Sequence, residues 1–305
     1  MGHFCQNTII FVMGAKNKMF LKNKKIDLHI HTCFSDGGLL PAQIFELAQK
    51  QKIKIISITD HNNIDAYSGI ENLNTNGIQI VLGMEVDVLF EQNCYHILMY
   101  NFNKQSKQLL QYLKNSRNHD IAEFHKMINA LKNKFGLKIT QQQIENFVCQ
   151  NQYFDKVRLN NFLVECGFCK HPKQAFLDYT KYIDDKTKYC ISAQEFFKLA
   201  SNCGATTSIA HPHKYLKFLQ TQNNLHSVIL KMQKMGLDAI EVYNNRQTVK
   251  QKNQLKHFAK KYGFAITGGS DFHQKLGATE NKHLATVLGK TLKQSKVSKK
   301  IYKNT

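Results

Sequence analysis

Hydrophobic positions along the chain follow two alternating periods. Stretches with apolar residues at helical spacing end at or near glycine, and short β-branched runs follow them. The first such run is Lys25 to Ile30. Pro41, a favourable first residue of a helix, then opens a helical stretch to about Lys52. Strands are predicted at Ile53 to Thr59, Ile78 to Leu82, Thr206 to Ala210, Asp238 to Val242 and Phe264 to Thr267. Val86 to Phe90 and Tyr95 to Tyr100 read as a hairpin. Helices ending at Cys203, Met235 and Tyr262 each stop at the next residue, Gly204, Gly236 and Gly263.

This alternation predicts an α/β fold of about six or seven β/α units, which favours a barrel over an open sheet. Polar residues gather where the runs end: His29, His31 and Asp36, then Asp60 and His61, Glu85, His96 on the hairpin's return strand, His211, and Asp271 with His273. In parallel α/β folds that edge is where active sites form. One segment breaks the alternation. Residues 104–199 read as helices at Gln108 to Phe135, Gln141 to Cys149, Leu159 to Glu165, Lys173 to Tyr179 and Ala193 to Leu199. They form either a helical insertion close over the site or a helical subdomain that only adds bulk. The barrel then comprises residues 25–103 and 200–290. Residues 1–24 read as a disordered leader, with Met13 or Met19 as alternative starts, and 291–305 as a basic tail.

Composition narrows the setting. The chain has 305 residues, 42% of them hydrophobic, and no apolar run approaches the ~18 residues of a membrane helix. Eight cysteines without a secretory signal imply reduced thiols in the cytoplasm rather than a disulfide framework. Cys166 and Cys169 form a C-x-x-C with His171 nearby. A structural zinc would want a second pair, so a helix end with Gly167 just beyond it is the simpler reading. The net charge of +20 favours anionic partners such as nucleotides, nucleic acid or phosphates. An AT-rich coding sequence accounts for the abundance of Lys and Asn equally well.

Candidate chemistry lies in the polar set. His29 and His31, two apart on a strand, point to one face and can bind one ion. With 14 histidines in 305 residues, about 0.6 such pairs arise by chance, so the pair alone decides nothing. Seven or more imidazoles and carboxylates at one end of the fold are another matter. They cannot all be buried without cations, because unpaired charge is too costly to desolvate. Imidazole and carboxylate without thiolate suit Zn²⁺, Mn²⁺ or Fe²⁺.

The ordered motifs Asp27-Leu-His-Ile-His-Thr, Ser35-Asp-Gly, Thr59-Asp-His, Gly83-Met-Glu, His96, Ala210-His-Pro and Gly269-Ser-Asp-Phe-His resemble the PHP family, the polymerase and histidinol phosphatase domain. The resemblance spans about Lys25 to His273. It implies a distorted (β/α)7 TIM-like barrel holding two or three divalent metal ions. It implies ligand roles for His29, His31, Asp36, His61, Glu85, His96, His211, Asp271 and His273, with Glu85 bridging. Asp27 and Asp60 would orient ligating rings. The helical insertion and "KVRLNNFLVECG" (156–167) resemble the branch of nucleoside 3′,5′-bisphosphate phosphatases and a 5′→3′ exoribonuclease. That branch usually carries Arg-x-His where this chain has Lys156-Val-Arg158, which leaves the exact substrate open.

The expected function is hydrolysis of a phosphate ester of a nucleotide or short nucleic acid by a metal-activated water. Asp271, His211 and His273 are the candidate catalytic residues; either histidine would protonate the leaving oxygen if not held by metal. Lys156, Arg158 and Arg246 are the candidate phosphate anchors. A histidinol-phosphatase-type activity and a non-catalytic metal-binding module are the rival readings. No membrane and no obligate protein partner are expected.

Overall fold

The computed structural model describes residues 25–70, 75, 77–185, 187–273 and 287–288. The expected leader and basic tail lie outside these residues. β1 (Lys25–Ile30), β2 (Ile53–Ile58) and β3 (Gln79–Ile80) are parallel neighbours, with β10 (Val287–Leu288) antiparallel on the far side of β1. A second sheet has the order β6 (Ile191–Ser192), β4 (Gly83–Phe90), β5 (Asn93–Tyr100), β7 (Thr206–Ile209), β8 (Ala239–Asn244), β9 (Ala265–Gly269). β4 and β5 form the predicted hairpin. Glu91 and Gln92 join them at φ 46° and 67°, the left-handed pair of a two-residue turn. β7, β8 and β9 are parallel, linked by α7 (Leu216–Leu219) with α8 (Gln222–Met235) and by α9 (Val249–Tyr262). The fold is therefore α/β, as the pattern predicts.

Among the described residues two isolated backbone bridges join the sheets. His61 bridges to Glu85, and Ile30 to Phe272. The amide of Asp271 donates to the carbonyl of His29 at 2.9 Å, and that of His31 to Phe272 at 3.0 Å. Gly269 permits the second approach, since a Cβ there would lie 2.3 Å from the Cβ of His29. These contacts draw the ends of β1, β2, β4 and β9 together.

Helix α2 (Lys107–Phe135) spans two cores. Its Leu109 and Tyr112 pack with the six-stranded sheet, while Phe124, Met127, Ile128 and Leu131 pack with α3 (Gln141–Gln150), α4 (Lys156–Glu165) and α5 (Pro172–Asp178). Helix α6 (Ala193–Asn202) departs from the expectation that it belongs to the insertion. Ala193, Phe196, Phe197 and Ala200 form one apolar face, and that face packs in the core of the six-stranded sheet. β6, just before it, already pairs with β4 through Val88 and Ile191. Cys166 caps α4 and Gly167 follows at φ 80°, the geometry of a helix end. Among the described residues no helix is long and apolar enough to cross a membrane.

Gly269→Ala should destabilise the fold by about 2 kcal/mol or more, through the clash with β1. Denaturant unfolding checks it; a loss within about 0.5 kcal/mol would show that the sheets do not need this close approach.

Candidate metal centre

Glu85 stands at the middle of the site. It lies on β4, is 1% exposed, and faces five imidazoles. Its Oε2 is 3.4 Å from His29 Nε2, 3.1 Å from His31 Nε2 and 3.4 Å from His61 Nε2. Its Oε1 is 3.1 Å from both His96 Nδ1 and His211 Nε2. Strand alternation puts His29 and His31 on one face of β1, and their Nε2 atoms come within 3.1 Å of each other. Asp271 Oδ1 closes that side, 3.5 Å from His29 and 3.6 Å from His31. Asp36 reaches His31 Nδ1 at 3.2 Å, His273 Nε2 at 3.1 Å and His61 Nε2 at 3.8 Å. All nine expected ligand residues thus come together.

Two of them leave their strands in the left-handed region, His211 at φ 30° and Asp271 at φ 56°. That conformation is uncommon for residues with a Cβ and marks sites where geometry is imposed. For His211 the imposing group is Glu241, whose Oε2 accepts its amide at 2.6 Å.

The charges are mutually dependent. Burial opposes ionisation of Glu85, yet His29, His61 and His96 outweigh it and hold the carboxyl well below its usual range. Burial likewise opposes charging of His29, but Glu241, Glu85 and Asp271 raise it well above an ordinary imidazole. His31 is pushed up to about 10, Asp36 and Glu85 overcoming burial. Burial dominates at His61 and His211, lowering them to about 4 and about 3.

These donors fit divalent cations. The Nε2 atoms of His29 and His31 face each other at hydrogen-bond distance, and a proton on both would repel. The Nδ1 atoms of His61 and His211 and the Oδ1 atoms of Asp87 and Asp271 are buried without a hydrogen-bond partner, an arrangement that is costly unless something else meets them. Among the described residues five overlapping groups have nitrogen and oxygen atoms within 4.8 Å of one another, including His31, Asp36, His61 and His273, and Glu85, His96 and His211.

Two carboxylates at the site went unnoticed in the sequence. Asp87, two residues after Glu85 and so on the same face of β4, lies 3.2 Å from His96 Nε2 and 3.8 Å from His61 Nδ1. Glu241, fully buried on β8, takes His29 Nδ1 at 2.9 Å. A single acid in the apolar run "AIEVY" (239–243) was the available signal, because a buried charge needs a partner. Asp27 and Asp60, expected to orient rings, accept backbone amides and, for Asp60, two hydroxyls. Asp27 accepts the amides of His29 and Ser270 at 3.2 and 2.8 Å. Asp60 accepts the amide and hydroxyl of Thr32 at 2.7 and 2.6 Å, and the Ser35 hydroxyl, which orders the loop carrying Asp36.

The expected phosphate anchors divide. Arg246 is 60% exposed, with Nη1 3.9 Å from Asp271 Oδ2. Lys156 is turned away, donating to the carbonyl of Ile183 at 2.7 Å beside Asp185. Arg158 is buried, and its Nη2 reaches the carbonyls of Cys33, Ser35 and Gly37 at 2.9, 3.1 and 3.4 Å. It ties α4 to the Asp36 loop. Two lysines missed by the sequence reading stand at the cluster: Lys214, 2.7 Å from Asp271 Oδ2, and Lys188, 3.2 Å from His96 Nε2.

Nitrogen and oxygen donors converging at strand ends of an α/β fold form a candidate centre for divalent metals. The PHP domain model matches residues 27–263, and the chain belongs to that family. A 5′-3′ exoribonuclease of Haemophilus influenzae is 26% identical over 84% of this chain and 93% of its own length. A 3′,5′-nucleoside bisphosphate phosphatase of Chromobacterium violaceum is 23% identical over 81% and 87%. Among solved structures, a Bifidobacterium adolescentis protein assigned as a metal-dependent phosphoesterase superposes with TM-score 0.68 at 22% identity, covering 91% of this chain and 95% of that one.

Two outcomes follow from the charges and from Glu241. At pH 7–8 His31 carries a proton that a cation must displace, so adding Mn²⁺ or Zn²⁺ to metal-stripped protein should release protons, and apparent affinity should fall as pH drops. Titration in weak buffer with a pH electrode measures this; binding with no proton release would contradict the coupling. Glu241→Ala should weaken metal binding about 10–100-fold, read by competition with a fluorescent chelator; wild-type affinity would remove Glu241 from the site.

Proposed function

We propose that the protein is a metal-dependent phosphoesterase acting on a phosphate ester of a nucleotide or short oligonucleotide. The observation that carries this reading is the convergence of nine imidazole and carboxylate residues around Glu85. The exoribonuclease and bisphosphate phosphatase relatives, matched along most of the chain, support the nucleotide class of substrate.

In this reading His29, His31, Asp36, His61, Glu85, His96, His211, Asp271 and His273 ligate two or three divalent ions of the Mn, Zn or Fe type, with Asp87 as a further carboxylate. The two sheets, bridged by His61–Glu85 and Ile30–Phe272, act as one distorted (β/α)7 barrel. Residues from about 104 to 190 form the helical cover over its mouth. Free thiols at all seven described cysteines accord with a cytoplasmic protein.

Bound there, divalent cations make water nucleophilic near neutral pH and offset phosphoryl charge. The chain's own groups fix the ligands. Glu241 accepts from His29 Nδ1, which turns Nε2 to the cluster as the nitrogen a cation would take. The carbonyl of Asp271 accepts from His273 Nδ1 at 2.8 Å with the same effect. Burial keeps His211 neutral. We therefore assign His211 and His273 to ligation rather than to protonating the leaving oxygen. Lys214 and Arg246, beside Asp271, would meet the developing charge on phosphoryl oxygens.

Phosphate release with Mn²⁺ supplied tests the reading on a nucleoside 3′,5′-bisphosphate, a 5′-phosphorylated oligoribonucleotide and histidinol phosphate. One or both nucleotide substrates should turn over in preference to histidinol phosphate. His29→Ala and Asp271→Ala should each lower kcat/KM by about 1000-fold or more. Activity within tenfold of wild type in either variant would refute the ligand assignment.

A further inference from the structure

Lys188 is a cation that the helical cover delivers to the cluster, and the residues on both sides of it are fastened to α2. The amide of Thr187 donates to Glu123 Oε2 at 2.8 Å. Tyr189 packs on Tyr112 and His119, with ring centroids 5.9 and 5.5 Å apart. Two residues further on, Ile191 pairs with Val88 of β4. This clamp holds the ammonium 3.2 Å from His96 Nε2 and 3.7 Å from Asp87 Oδ1. The side chain remains 48% exposed, and an ammonium has a third N–H to give.

An ion pair with Asp87 is the ordinary account of such a lysine, and it is insufficient. A half-exposed pair is worth little, and Asp87 already accepts from Asn62 Nδ2 at 3.1 Å and lies beside two imidazoles. A positive charge clamped beside a cation-binding cluster also opposes the cations. The opposition is relieved when an anion enters with them. Lys188 moreover sits at the outer edge. His96 turns Nδ1 to Glu85 and Nε2 outward to Asp87 and Lys188. In the phosphoesterase reading the group that reacts would lie on the inner side, by Glu85 and Asp271, where Lys214 and Arg246 stand beside Asp271.

We propose that Lys188 is a specificity-determining residue that binds a substrate phosphate other than the one being hydrolysed: the second phosphate of a nucleoside bisphosphate, or the next phosphodiester of an oligonucleotide. This rests on the phosphoesterase reading above. The sequence reading placed the cover's phosphate anchor at Lys156 and Arg158, which the structure commits to the cover's own backbone and to the Asp36 loop.

The test compares wild type, Lys188→Met and Lys188→Arg with Mn²⁺ supplied. The substrates are adenosine 3′,5′-bisphosphate, a 5′-phosphorylated diribonucleotide and p-nitrophenyl phosphate, which has a single phosphate. In Lys188→Met the ratio of kcat/KM for a two-phosphate substrate over that for p-nitrophenyl phosphate should fall about tenfold or more, with the loss in KM. Lys188→Arg should restore most of the ratio, and bound manganese per chain should not decrease in Lys188→Met. Whichever two-phosphate substrate shows the larger change identifies the source of the phosphate. An equal loss on all three substrates, or no change in the ratio, overturns the proposal while leaving the phosphoesterase reading standing. If wild type hydrolyses none of them, that reading falls and this inference with it.

Discussion

The structure depends on a conflict of buried charge. Glu85, Asp87, Asp271 and Glu241 are carboxylates with almost no exposure, packed against imidazoles that cannot all be protonated together. Removing such groups from water costs far more than a few hydrogen bonds return, unless charge is balanced inside. Cations shared among these side chains would resolve the conflict in one stroke. Much else serves to hold that arrangement: the glycine that lets β9 meet β1, the left-handed backbone at His211 and Asp271, Glu241 fixing both His29 and His211, and Asp60 with Arg158 bracing the Asp36 loop.

Most of the element order was legible in the sequence, since helices with glycine just beyond them and β-branched runs carry strong local signals. The convergence of the nine residues was legible because histidines and acids at run ends form a pattern that no single residue makes. What escaped was non-local. Nothing near Lys188 in sequence reveals that Thr187 and Tyr189 are tied to α2 and aim it at His96. Glu241 looks like an isolated acid until β1 and β7 are brought beside β8. Asp87 was within reach, because it repeats the facing of Glu85 two positions on. The boundary at α6 was misplaced because a helical pattern does not say which core its apolar face joins.

The helical segment is more than bulk. It ties Arg158 into the loop that carries Asp36, and it sets Lys188 at the edge of the cluster. Its own core, built on Phe124, Phe147, Phe154 and Phe162, is separate from that of the sheets. This division fits a family whose relatives carry different phosphoesterase names.

The central claim is that these side chains meet around shared cations. Its most direct test is an anomalous-scattering map from crystals grown with Mn²⁺, recorded above the manganese edge. The account requires at least two peaks within about 2.5 Å of ligand atoms, one of them touching Glu85 together with His29, His31 or Asp271. A map with no peak there, and with the imidazoles paired only to carboxylates, would contradict it.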